Sequence, residues 1–375
     1  MGASVRLGVR SSFGARRLAL QIEVWAEFMG DAGTLKLDHR RYRLPFRQPV
    51  RTAHGVWTER EGFWIRLEDE AGRVGFGEAA PIPGFGAGTV EDVAVQLARL
   101  GNRVASEAWR ALPALDGSLH FALATAEAEL GIGRAHAAAV RDYWPIAGLL
   151  PAGRPALAAV AAQVESGFRV LKWKVGVGDP AEEWGILDDL LGRLPTGARL
   201  RLDANGAWDR RRAERWLERC AERPIEFVEQ PIAADGRGAN DVLLGLAGDY
   251  PTPLALDESL VTPGDLQRWI DLGWRGVWVV KLALLGDPVE TMATLSAAKA
   301  DVVFSSSLET GLGAAAALTA AFSWPDPVRA LGYGVWPLFA DRLLDGPARA
   351  PFVRATDIGY DAVQNWETIS HPAGQ

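Results

Sequence analysis

A chain of 375 residues, 48% hydrophobic and 23% charged, is long enough for two domains with a sizeable core and has the balance of a soluble globular enzyme. Its 47 acidic and 40 basic residues give a formal net charge of -7, which excludes the basic signature of a nucleic-acid-binding protein. A single cysteine, Cys220, excludes an intramolecular disulfide, and no apolar run reaches the ~20 residues of a membrane span, so a cytoplasmic protein is expected.

Four arginines, Arg6, Arg10, Arg16 and Arg17, precede the first acid, Glu23, yet no apolar core and no small-residue cleavage site of a targeting peptide accompany them. Residues 1–34 read as an extension, either a disordered tail or a start placed too early, with Met29 the true first residue. From Leu35 the pattern is strand-like. "TLKLDHRRYRL" is followed by "EGFWIRLEDEAGRVGFGEAA", in which Glu70-Ala71-Gly72 marks a hairpin turn. Thr89 with Asp92 three residues later forms a capping-box pattern ahead of Val93, Leu97 and Leu100, and "SLHFALATAEAELGIGRAHAAA" is a second helix. A sheet of two or three strands with helices predicts a separate α+β domain over residues 35–135.

Beyond Tyr143 the rhythm becomes strand, loop, helix, repeated. The strand candidates are "PIAGLL", "RVLKWKV", "ARLRLDA", "IEFVEQ", "PLALDES", "GVWVVKL", "DVVFSSS" and "RALGYG". Asp179-Pro180, Thr262-Pro263 and Asp287-Pro288 open helices between them, with the cap residue first and proline at the first helical position. About eight such units in a row over residues 136–335 predict a parallel sheet closed into a barrel with helices outside. The last stretch, 336–375, has no clear period and is expected to pack back on the first domain.

Within "VLKWKVG" (170–176), Leu171, Trp173 and Val175 share one face of a strand, and Lys172 and Lys174 the other. Lysine is rarely buried without a partner or a task. In a barrel, reacting groups come from the C-terminal ends of successive strands. Here those ends carry Lys172 and Lys174, then Asp203, Glu229, Asp257 and Lys281, one βα unit apart each. Three neighbouring carboxylates repel unless a cation lies among them, and all-oxygen ligands select a hard ion, Mg²⁺, with Mn²⁺ as a substitute. A lysine beside a second cationic group can act as a base near neutral pH, and Lys172 is placed to do that for Lys174. Metal and lysine together are a kit for removing a proton next to a carboxylate, so a small-molecule carboxylate is the expected substrate. The plain alternative is a stabilising salt-bridge network.

The segments "LKWKVG", "LDANGAW", "VEQP", "ALDES" and "VVKL", in this order, resemble the enolase superfamily, in its muconate-lactonising-enzyme subgroup with a lysine on each side of the site. The resemblance covers nearly all of the chain after residue 35. It implies a modified (β/α)7β TIM-type barrel with an N-terminal α+β capping domain. Enolase-superfamily sites with a lysine or histidine base and Mg²⁺ are a known pattern. "FRQPVRTAHGVWTEREGFWIRLEDEAGRVGFGEAAPIPGF" and "VVFSSSLETGLGAAAAL" are most similar to the o-succinylbenzoate synthases of that subgroup. That resemblance implies a lyase of menaquinone or phylloquinone biosynthesis. It would dehydrate 2-succinyl-6-hydroxy-2,4-cyclohexadiene-1-carboxylate to o-succinylbenzoate through an enediolate.

By the same resemblance Lys174 abstracts the proton and Lys281 steadies the charge from the other face, while Asp203, Glu229 and Asp257 hold Mg²⁺. Asn205 is a candidate ligand contact, or only the turn residue of Asn-Gly. Ser305 and Ser307 are candidates for the succinyl carboxylate if the seventh strand continues through them; the equal alternative is helix capping. In the cap loop 47–55, Arg51 and His54 are weaker candidates. Racemisation of N-acylamino acids and dipeptide epimerisation use the same acid–base kit and are the alternative reading. The Asp-x-Asp that dipeptide epimerases carry at the eighth strand is missing from "LGYGVWPLFADRL". A non-catalytic barrel would have lost one of these ligands or lysines, and none is lost. A histidine-based sugar-acid dehydratase is disfavoured because no histidine lies between His136 and His371.

Overall fold

The computed structural model describes residues 33–369, apart from 53–54, 87, 106–107, 113–114, 133–136 and 348–349. The expectation for the N-terminal extension, the imidazole of His54 and the side chain of Arg51 therefore lie outside the described residues. Four strands, β1 (Thr34–Thr52), β2 (Gly55–Glu68), β3 (Val74–Ala79) and β4 (Arg103–Ala105), form an antiparallel sheet in the order β3-β2-β1-β4. The sheet has four strands where two or three were expected, because β4 is too short to show a period. Helix α1 (Val90–Leu100) starts with the expected Thr89/Asp92 capping box. Helix α2 (Gly117–Glu129) lies against β3, where a Cβ on Gly77 would stand 2.0 Å from the Ala122 carbonyl, so only glycine permits the approach.

The barrel strands are β6 (Gly148–Leu150), β7 (Val170–Lys174), β8 (Arg199–Asp203), β9 (Ile225–Glu229), β10 (Leu254–Leu256), β11 (Val277–Val280) and β12 (Asp301–Phe304). They form a parallel seven-stranded sheet in sequential order. The segment read as an eighth strand closes the ring by two bridges only, Ile146 to Leu331 and Ser305 to Gly332. The interior is filled by Phe227, Ala255, Val277, Val279 and Val303. Buried Arg201 stacks on Phe227 at 4.9 Å and pairs with Glu226 at 2.7 Å. Outside lie α3 (Pro155–Glu165), α4 (Pro180–Arg193), α5 (Arg210–Cys220), α6 (Ala239–Asp249), α7 (Pro263–Asp271), α8 (Pro288–Ala297) and α9 (Gly311–Phe322). The predicted caps Asp179, Thr262 and Asp287 each accept a main-chain N–H of their helix. Burial pushes the Cys220 thiol on α5 up to about 12, so it is an inert core group.

The chain after the barrel is not structureless. Strand β13 (Phe352–Arg354) pairs with β5 (Tyr143–Pro145) beside the barrel, and α10 (Ala362–Ile369) lies on the first sheet. There Arg40 stacks on Trp366 at 4.2 Å, while Phe46 and Phe339 stack at 5.8 Å. Cap and barrel are also joined through buried Glu78, at the end of "GFGE". Its carboxylate accepts the Thr310 and Gly313 main-chain N–H groups at 2.9 Å and so caps α9 from the other domain. Among the described residues no helix is long and apolar enough to cross a membrane.

Candidate active site

Alternation places Leu171, Trp173 and Val175 at full burial against the helices, with Lys172 and Lys174 half-buried on the inner face. Register then aligns the site. Lys174 sits opposite Asp203, and Asp203 opposite Glu229, each the last residue of its strand. Asp257 and Lys281 are the first residues beyond β10 and β11. In the order of the sheet, Lys174 on β7 and Lys281 after β11 face each other across the mouth. The three carboxylates stand between them.

The carboxylates are buried: Asp203 is 7% exposed, Glu229 1% and Asp257 6%. The ammonium of Lys172 lies between Asp203 at 2.8 Å and Glu229 at 2.7 Å. That of Lys281 pairs with Asp257 and lies 4.6 Å above the ring of Phe85. Lys174 stands apart: among the described residues no hydrogen bond or ion pair holds its ammonium. Sequence alone cast Lys172 as a cation acting on Lys174. In the structure its ammonium pairs with two carboxylates.

The electrostatics show a site short of positive charge. Burial works against the Lys172 ammonium, but attraction to Asp203, Glu229 and Asp257 outweighs it and holds the group above its ordinary range. Burial raises Asp257, and Lys281 and then Lys172 bring it back below the usual carboxylate range. Burial, then repulsion from Asp203, pushes Glu229 well above that range in spite of Lys172. Neighbouring Glu258 is pushed up to about 7 by burial, then by Asp257 and Asp203. As they stand, no three acidic or imidazole side chains among the described residues converge tightly enough to share one ion. Yet one ammonium already bridges two of the carboxylates, and the donor set is all oxygen and under-neutralised. These residues fit a hard divalent cation.

Asn205 is the turn residue of its Asn-Gly pair and also bonds to neighbouring acids. It is a left-handed turn residue at φ 43, and its side-chain amide donates to Glu258 at 2.9 Å while its main-chain N–H donates to Asp203 at 3.1 Å. The serine expectation needs correction. Strand β12 stops at Phe304, so Ser305 and Ser307 do not continue one strand face. Ser305 is half-buried and donates to the Gly332 carbonyl at 3.3 Å. The Ser307 hydroxyl is buried and donates to Glu309 at 2.8 Å, so it belongs to the turn.

Three side chains near the site were not found by sequence reasoning. Gln230, at φ 37, donates to the Ile232 carbonyl and the Ser259 hydroxyl, both at 2.8 Å. It accepts from the Asp257 and Ser259 N–H groups at 3.0 and 3.2 Å, so its amide is saturated in holding Asp257. Phe85 reaches Lys281 from the cap. Arg60 joins the cap to the loop after β12. Only Gln230 had a local signal, its place directly after Glu229 in "VEQP".

A parallel barrel with a cap, carrying lysines on either side of three strand-end carboxylates, defines the enolase superfamily architecture. The chain belongs to that superfamily: residues 156–351, just over half of it, match the family "Enolase C-terminal domain-like", and residues 36–130 match "MenC, N-terminal domain". Within it the chain belongs to the o-succinylbenzoate synthase family. An o-succinylbenzoate synthase of Thermosynechococcus vestitus is 42% identical over 301 residues, 79% of this chain and 91% of that relative. A crystal structure of o-succinylbenzoate synthase from Thermosynechococcus elongatus, with Mg in its active site, superposes with a TM-score of 0.74 at 38% identity. It covers 89% of this chain and 99% of that one. A hydrophobic dipeptide epimerase of Roseobacter litoralis is 29% identical over 289 residues, 71% of this chain and 80% of that relative.

Proposed function

We propose that the protein is an o-succinylbenzoate synthase, a Mg²⁺-dependent lyase that dehydrates 2-succinyl-6-hydroxy-2,4-cyclohexadiene-1-carboxylate in quinone biosynthesis. Residues 35–135 act as the cap, 136–335 as the barrel and 336–375 as a strap between them. The observation that carries the reading is the Lys174 ammonium, unpaired among the described residues, across three buried carboxylates from Lys281. Asp203, Glu229 and Asp257 would hold Mg²⁺, which when bound would supply Lewis-acid stabilisation of charge on the substrate carboxylate. Lys174 in its neutral form removes the proton next to that carboxylate, and its resulting ammonium then protonates the departing hydroxyl on the same face. Lys281 opposes the enediolate charge from the other side, and its contact with Phe85 shows that it can lie over an aromatic ring. Lys172 holds Asp203 and Glu229 in register. Asn205 steadies Asp203 and Glu258, and Ser305 is the serine left to meet the succinyl end.

The epimerase relative keeps an amino-acid reading in view, but the two acids nearest the eighth-strand segment are engaged with the main chain. Near the barrel's closing segment, Asp345 accepts the Leu338 and Phe339 N–H groups at 2.8 and 2.9 Å, and Asp341 accepts that of Leu343. Ultraviolet-monitored conversion of the cyclohexadiene tests the proposal. Turnover with Mg²⁺ that EDTA abolishes is expected. A folded, Mg²⁺-loaded enzyme that leaves the substrate unchanged would overturn it.

A further inference from the structure

Arg60 on β2 is 1% exposed, and its guanidinium is buried where the cap meets the barrel. A buried cation needs compensation, usually from a carboxylate. Among the described residues, Arg60 instead donates to main-chain carbonyls. Nη1 reaches Pro81 at 2.7 Å and Glu61 at 3.1 Å, Nε reaches Leu308 at 3.1 Å, and Nη2 reaches Ala80 and, at 3.3 Å, Ser307. Apart from that of Glu61, next to Arg60 on β2, these carbonyls come from two segments of unrelated sequence position, both at the site. One is the start of the glycine-rich cap loop 81–86, whose Phe85 lies over Lys281. The other is the turn after β12, which begins at Ser305.

The turn is held from its far side as well. Glu309 accepts the hydroxyls of Ser306 and Ser307 and the Ser307 N–H. The Ser307–Leu308 main chain thus lies between a buried cation at its carbonyls and a buried carboxylate at an N–H group, with Leu308 held at φ 63.

We propose that Arg60 is a positioning residue that locks the Phe85 loop and the Ser305–Leu308 turn into one unit, fixing the width of the mouth in which the substrate's ring and side chain lie. Only the kinetic consequence rests on the proposed dehydration; the mechanical coupling does not. No ammonium can replace a planar fork that reaches carbonyls on both segments.

Hydrogen exchange and steady-state kinetics on Arg60→Met and Arg60→Lys test this. In both variants, amide exchange should rise by about tenfold or more in 81–86 and 305–310 together, while the barrel strands stay protected and Mg²⁺ affinity stays within about twofold. The value of kcat/KM should fall by about tenfold or more, mainly through KM, with lysine intermediate. Faster exchange in only one segment, or a uniform rise across the barrel, would overturn the proposal. If Arg60→Met does not fold, Arg60→Lys gives the same reading. Absence of turnover in the wild type would count against the dehydratase reading and leave the exchange result intact.

Discussion

Lys174→Ala is expected to lower turnover by about 10²- to 10⁴-fold, the range of a positioned general base, while leaving Mg²⁺ binding unchanged. The two effects separate because Lys172 and Lys281, not Lys174, are the lysines engaged with the carboxylates. Lys174 is half-buried and unpaired among the described residues, so its truncation breaks no ion pair. Lys174→Arg sharpens the test. Arginine keeps a positive charge at the same strand end but stays protonated at any working pH. If Lys174 acts as the base, arginine fails as fully as alanine. If it only supplies charge, arginine restores much of the rate. Turnover by the alanine variant within about tenfold of wild type would remove Lys174 from the chemistry.

Glu229→Gln should have the second largest effect, with an opposite signature in stability. Glu229 is 1% exposed, shares Lys172 with Asp203, and is pushed well above the usual range by burial and by Asp203. Burial and Asp203 disfavour its charged form more than Lys172 favours it, and glutamine relieves that repulsion in the metal-free protein. The metal-free variant should melt no lower than metal-free wild type. Mg²⁺ affinity should fall by about a hundredfold or more, because a central anionic ligand becomes neutral. A ligand that binds only the folded state raises the melting temperature. Mg²⁺ should therefore raise it in wild type and fail to do so in Glu229→Gln, with turnover lost. An unchanged Mg²⁺-induced rise in the variant would take Glu229 out of the metal site.

The lysine pair and the three acids were legible in the sequence because a strand imposes a period of two and a barrel repeats its unit. Side-chain direction and strand-end position therefore follow from residue type and spacing. Closure of the barrel was only half legible, since Leu331 and Gly332 make two bridges rather than a ladder. Ser307 was misplaced for a local reason. The chain turns after Phe304 and reaches a left-handed residue at Leu308, a conformation that the run of serines does not announce. Arg60 lay beyond sequence reasoning because it acts on main-chain groups, which carry no residue signature, and Gln230 left only its place after Glu229 in "VEQP". Arg60 meets carbonyls on Ser307 and Leu308, far along the chain in the other domain. Lys172 shows a further limit: its place in "LKWK" set its face, but only three-dimensional structure shows that two carboxylates claim its charge.

The central claim is that this two-lysine site performs the dehydration in preference to the amino-acid chemistry available to the same groups. The most direct measurement is kcat/KM of one Mg²⁺-loaded preparation for the cyclohexadiene carboxylate, for N-acylamino acids and for dipeptides. Dehydration is expected to lead by about two orders of magnitude or more. Faster racemisation or epimerisation than dehydration would contradict it.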